Sequence, residues 1–123
     1  MRALDAAKSA GAEYADVRIS QNRNQAIQTR ERRVQALNDS ETFGFGVRVL
    51  VRGAWGFAAS RDLSPDEMVR VARQAVAQAQ ANRAALERPV VLAPVTPPAN
   101  GTWRSPVEID PFDVPVEEKV ALL

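Results

Sequence analysis

Between Phe43 and Arg52 the sequence alternates with strict period two. Phe43, Phe45, Val47, Val49 and Val51 fall on one side, and Gly44, Gly46, Arg48, Leu50 and Arg52 on the other. Successive side chains of a strand point to opposite faces, so this pattern dictates a strand with one face against a core and the other wet. Arg52-Gly53-Ala54 then turns the chain tightly, and Trp55, Phe57 and Ala59 continue in a further strand. Connections this short join antiparallel neighbours, because a parallel crossover needs a dozen residues or more. Whatever else the chain does, it must be built around an antiparallel meander.

The flanking segments extend that meander. Ala15, Val17 and Ile19 alternate with Asp16, Arg18 and Ser20, which reads as a strand with one polar face. Gln21 to Gln25 reads either as a turn or as a bulge in one long strand that resumes through Ala26-Ile27-Gln28-Thr29. Arg30-Glu31-Arg32-Arg33 is a charged break, a second strand runs around Val34 to Asn38, and Asn38-Asp39-Ser40 supplies turn residues. About four strands result.

Two helices are expected around them. Residues 2 to 10 place Leu4, Ala7 and Ala10 on one face, with Gly11 where a C-cap tolerates positive φ. Ser64-Pro65-Asp66-Glu67 opens the second helix, with Ser64 as N-cap, Pro65 at N1, Glu67 closing a capping box, and a staple from Leu63 to Met68. Met68, Ala72, Ala75, Val76, Ala79 and Leu86 form a narrow, alanine-rich stripe that lets this helix lie close to the sheet. It should end near Glu87 or Arg88, before Pro89. The expected fold is α/β of the α+β kind: a two-layer sandwich of a curved antiparallel sheet with both helices on one face, spanning residues 1–88.

Residues 89–123 differ in character. Seven of the 8 prolines lie between Pro89 and Pro115, with Trp103, Ile109 and Phe112 as isolated anchors, which reads as an extended or linking segment. A helix then starts at Val116 and runs to Leu123, and the expectation is of a helix cut short ahead of a further carboxy-terminal domain. No internal repeat of a solenoid period is present.

Composition narrows the chemistry. With 123 residues the chain fits one ordinary domain, and 46% hydrophobic with 25% charged residues is a globular balance. A net charge of +1 supplies no general excess for nucleic-acid binding. There is no cysteine and no histidine, so this chain alone assembles no Ser-His-Asp triad, Cys-His pair or HExxH zinc site. No apolar run approaches the roughly 18 residues of a membrane span, and Met1-Arg2-Ala3-Leu4-Asp5 is no signal-peptide core. A reducing, cytoplasmic setting is the default expectation. The sequons at Asn38 and Asn100 are read as accidental.

Few residues invite a functional reading. Gly44-Phe45-Gly46 has no helix behind it, so it reads as close backbone approach within a strand and not as a dinucleotide loop. Arg23, Arg30, Arg32 and Arg33 are basic neighbours without aromatic partners in sequence, fitting a solvated hairpin end. Glu108, Asp110 and Asp113 lack the spacing of a calcium loop. Arg18, Arg48 and Arg52 are the candidate interface: alternation puts them opposite the apolar face, where guanidiniums suit carboxylates of another domain or subunit.

Taken in order, Ala15-Asp16-Val17-Arg18, Ser40, Gly44-Phe45-Gly46-Val47-Arg48-Val49-Leu50, Gly53-Ala54-Trp55-Gly56-Phe57-Ala58-Ala59-Ser60 and Leu63-Ser64 resemble the amino-terminal domain of the TldD/PmbA family, also called modulators of DNA gyrase. Asp110-Pro111-Phe112 and Val116-Glu117-Glu118-Lys119 resemble that family's passage into its next region. The resemblance covers nearly the whole chain. It implies a parent zinc metallopeptidase acting on small or unfolded peptides, with zinc held by an H-E-x-x-x-H helix in a carboxy-terminal domain. It also implies a homodimer or a TldD/PmbA-type heterodimer enclosing a chamber. PmbA-type members lack the zinc motif, and Trp55 to Ser60 is more similar to the TldD side. No catalytic, cofactor-binding or metal-binding residue carries over, because no position here matches that motif. The expected role is dimer assembly and substrate access; the alternatives are a stand-alone protein-interaction domain and, less favoured by the charge, a nucleic-acid-binding module.

Overall fold

The computed structural model describes residues 2–94 and 100–123. In chain order the elements are helix α1 (Arg2–Ser9), strands β1 (Tyr14–Arg30), β2 (Arg33–Val51) and β3 (Ala54–Ser60), helix α2 (Pro65–Asn82), a 3-10 turn (Arg83–Ala85) and helix α3 (Val116–Ala121). The chain divides into two compact units, Met1–Asn22 with Glu41–Ala93, and Arg23–Ser40 with Pro94–Leu123.

The α+β class is as expected, but among the described residues the sheet has three strands in the order β1-β2-β3, where about four were expected. The break expected at Asn38-Asp39-Ser40 is absent: these residues lie inside the 19-residue strand β2. Their polar side chains, which suggested a turn, are used laterally instead, Asp39 accepting from Arg23 and Gln25 at 3.2 Å each. Likewise Gln21 to Gln25 continues β1 without a turn. The reversal between β1 and β2 falls on Glu31 and Arg32, both with positive φ (52° and 58°), the pairing that a two-residue hairpin with the right twist demands. Arg52 (φ 48°) and Gly53 (φ 77°) do the same between β2 and β3.

In the first unit the register of β2 and β3 decides which side chains are buried. Val47 pairs with Ala58, Val49 with Gly56 and Val51 with Ala54, all buried. Against them pack Ala3 and Ala7 of α1 and Val71, Ala72, Ala75, Val76 and Ala79 of α2. The buried face of α1 is therefore Ala3 and Ala7, and Leu4 is half-buried, not central. Small residues allow close approach: a Cβ added at Gly56 would sit 2.0 Å from the Ala75 carbonyl oxygen. Burying one such valine contributes about 1.5 kcal/mol or more, so this compact set carries much of the fold.

The helix ends follow their signals in part. At the end of α1, the Gly11 N–H donates to Lys8 and the Ala12 N–H to Ala7, and Gly11 takes φ 99°, a Schellman cap. Ser64 caps α2, accepting from the Glu67 N–H at 3.4 Å. The reciprocal half of the capping box does not form. Asp62 accepts from the Ser64 N–H at 2.8 Å, and Glu67 turns to Arg70 at 2.6 and 2.7 Å. Helix α2 stops at Asn82, short of the expected Glu87 or Arg88, and tightens into the 3-10 turn Arg83–Ala85, with the Asn82 side chain donating to the Trp55 carbonyl at 2.9 Å. Leu86 consequently falls outside the helix and is 37% exposed.

Glu67 carries a pH consequence. Arg70, and after it the Ser60 hydroxyl, hold its carboxyl at about 2 against an ordinary 4.5. A carboxyl depressed on folding stabilises the folded state above its unfolded value, and that stabilisation is lost as pH falls from 4.5 through about 2. Asp39, held low chiefly by Arg23, adds in the same direction. Urea midpoints measured down that range are expected to fall less steeply for Glu67→Gln than for the parent chain. Equal slopes would show that Glu67 does not contribute.

Within the second unit the Arg23 guanidinium lies 4.6 Å from the Phe112 ring centre and the Lys119 ammonium 5.9 Å, and Lys119 also donates to Gln25. All three anchors expected here are exposed, Trp103 and Ile109 largely so and Phe112 least. No helix among the described residues is long and apolar enough to cross a membrane.

Candidate functional site

Register fixes the opposite face of the first unit's sheet as firmly as the core. Gly46 pairs with Ala59, Arg48 with Phe57 and Leu50 with Trp55. β1 adds Asp16, Arg18, Ser20 and Asn22 to the same face, and together these strands line an open groove of about 690 Å³. Because the middle strand brings Gly44 and Gly46, the centre of the face lacks side chains of its own. The Phe57 ring occupies part of that space; a Cβ at Gly46 would stand 2.7 Å from it.

One end of the groove is rigidly wired. The Arg48 Nε and Nη2 donate to one Asp16 carboxylate oxygen at 2.9 and 2.7 Å. The guanidinium lies 4.9 Å from the Trp55 ring centre, and Trp55 meets Tyr14 edge-to-face with centroids 5.9 Å apart. The Asp16 hydrogen bonds hold Arg48 above the ordinary arginine pKa, so it stays charged. Such a solvent-exposed pair adds little to stability, typically below about 1 kcal/mol. Its effect is to hold the guanidinium in one direction.

The sequence-derived candidates separate here. Arg18 and Arg48 line the groove. Arg52 does not: it occupies the β2–β3 turn, beside Gly11, Gln80 and Arg83. Arg30, Arg32 and Arg33 sit at the β1–β2 turn, and Arg23 pairs with Asp39. Asp110 accepts from the Phe112 N–H at 2.9 Å in a local turn. Among the described residues no three His, Cys, Asp or Glu side chains gather to hold a metal ion. Sequence reading missed Phe57 and Arg61 as groove residues. A signal existed: a two-residue turn at Arg52-Gly53 forces Val51 opposite Ala54, and hence Arg48 opposite Phe57.

These features define an α+β domain with an arginine-bearing, partly aromatic open sheet face. The chain belongs to the PmbA/TldD family: residues 15–79, more than half its length, match PmbA/TldA metallopeptidase domain 1. Its relatives include a metalloprotease of Methanocaldococcus jannaschii, 25% identical over 111 residues, 90% of this chain but 24% of that protein. A metalloprotease of Methanothermobacter thermautotrophicus is 33% identical over 64 residues, covering 52% of this chain and 14% of that protein. The chain thus spans about a quarter or less of the curated relatives it matches.

The family description implies a metal, and the residues here do not fit one. With no histidine or cysteine, and no converging carboxylates among the described residues, this chain provides no zinc site.

Proposed function

We propose that this chain is the non-catalytic amino-terminal domain of a TldD/PmbA-type zinc metallopeptidase, contributing to dimer assembly and substrate access. The observation that carries the reading is the match of residues 15–79 to the first domain of the family. The groove supports it, since an exposed sheet face bearing guanidiniums suits contact with a partner. In this reading zinc and the bond-breaking groups belong to the carboxy-terminal domain of the parent. The working unit is a homodimer or a TldD/PmbA-type heterodimer in the cytoplasm, acting on small or unfolded peptides.

The test is a peptidase assay on the parent protein beside the same assay on this chain alone, with zinc supplied to both. The parent is expected to cleave unfolded peptide and this chain to leave it intact. Cleavage by this chain alone would overturn the proposal. So would failure of this chain to associate with the remainder of the parent.

A further inference from the structure

We infer that the open sheet face of the first unit is a binding groove for an extended, carboxylate-bearing peptide segment of about six residues. The inference rests on the shape and charge of the face, and peptide binding is measurable without cleavage.

The shape comes from three neighbouring strands. Gly44 and Gly46 keep the centre low, β1 raises one bank through Arg18, Ser20 and Asn22, and Phe57 and Arg61 form the other. From Asp16 to Asn22 the bank runs roughly 20 Å at about 3.3 Å per residue, the length of some six extended residues. A peptide laid along it meets two kinds of surface. Phe57 is 57% exposed, offering ring area for apolar side chains beside the guanidiniums.

The charge is asymmetric among the arginines. Arg48 is committed to Asp16, but Arg18 and Arg61, one on each bank, have no hydrogen-bond or ion-pair partner among the described residues. An unpaired guanidinium presents a planar fork of donors matched to a carboxylate. Two such forks flanking an apolar centre fit a segment that alternates acidic and apolar side chains, because alternate residues of an extended chain face the same way. A nucleic acid would use the same cations, but its affinity grows with the number of phosphates neutralised. The two unpaired guanidiniums of this groove neutralise too few phosphates for that.

The test uses the full chain and three fluorescein-labelled probes read by anisotropy. They are the peptide Glu-Leu-Glu-Phe-Glu-Leu, the same peptide with Gln at every Glu, and hexathymidylate. The acidic peptide is expected to bind at least about tenfold more tightly than its Gln counterpart. The double variant Arg18→Gln/Arg61→Gln is expected to lose at least about tenfold of that affinity. Both arginines are exposed, so the circular dichroism spectrum and melting curve should be unchanged. The inference is overturned by no binding of the acidic peptide at millimolar protein, by equal binding of the two peptides, by an unaffected double variant, or by tighter binding of the oligonucleotide. Any of these results leaves the peptidase reading standing, and an inactive parent leaves this one standing.

Discussion

Replacing Gly56 with alanine is expected to cost about 3 kcal/mol or more, the largest loss from adding a single methyl group in this chain. The new Cβ would stand 2.0 Å from the Ala75 carbonyl oxygen, 2.7 Å from the Ala79 nitrogen and 2.9 Å from the Ala79 Cβ. Two of these are backbone atoms of α2, so no rotamer change relieves the contact. The helix must retreat, and with it Val71, Ala72, Ala75 and Val76 lose their packing on the sheet. Gly46→Ala is the control. Its Cβ clashes with the outer atoms of the Phe57 ring alone, at 2.7 and 2.8 Å, the Ala58 carbonyl oxygen lying at an ordinary 3.9 Å, and that half-exposed side chain can swing aside. Thermal unfolding should place Gly56→Ala on the order of 10 °C or more below the parent. Gly46→Ala should stay within a few degrees of it. Equal melting points for the two variants would mean that α2 does not press on β3 as described.

The second large effect concerns association. β3 is an edge strand, and edge strands invite pairing by another chain unless blocked. Here two side-chain amides one helical turn apart occupy the place of a further strand. Gln78 Oε1 accepts from the Phe57 N–H at 2.7 Å, and Asn82 Nδ2 donates to the Trp55 carbonyl at 2.9 Å. The double variant Gln78→Ala/Asn82→Ala frees both backbone groups beside exposed Phe57. It is expected to lose about 1–3 kcal/mol of stability. More tellingly, sedimentation at rising concentration should give a larger mass than the parent chain under identical conditions. A variant that sediments as the parent does, even at the highest concentration, would show that the amides do not guard this edge.

How far these features could be read beforehand varied with their range. The Schellman glycine, the Ser64 cap and the alanine stripe of α2 were legible because each depends on residues within one or two turns. The reciprocal capping bond was not, since Asp62 and Arg70 competed for the two groups it needed. The turn assigned to Asn38-Asp39-Ser40 failed for a related reason. Those residues favour turns when nothing else engages them, and here Arg23 and Gln25 on the neighbouring strand do. Of the candidate interface, Arg18 and Arg48 share a face as alternation required. Arg52 lies one residue beyond the strand, where the hairpin takes its side chain elsewhere.

By itself, then, the sequence determined the α+β class, the antiparallel order, the hairpin at Arg52-Gly53, and the absence of histidine and cysteine chemistry. Each follows from residue identity or from a period shorter than one element. Only the tertiary structure decided that three strands, not four, make the sheet among the described residues, and that Gly56 marks the point where α2 rests on β3. It also decided that Phe57 and Arg61 join Arg18 around a groove floored by Gly44 and Gly46. Those outcomes depend on register and helix placement. They are set by which long-range pairings satisfy all the backbone and buried groups at once.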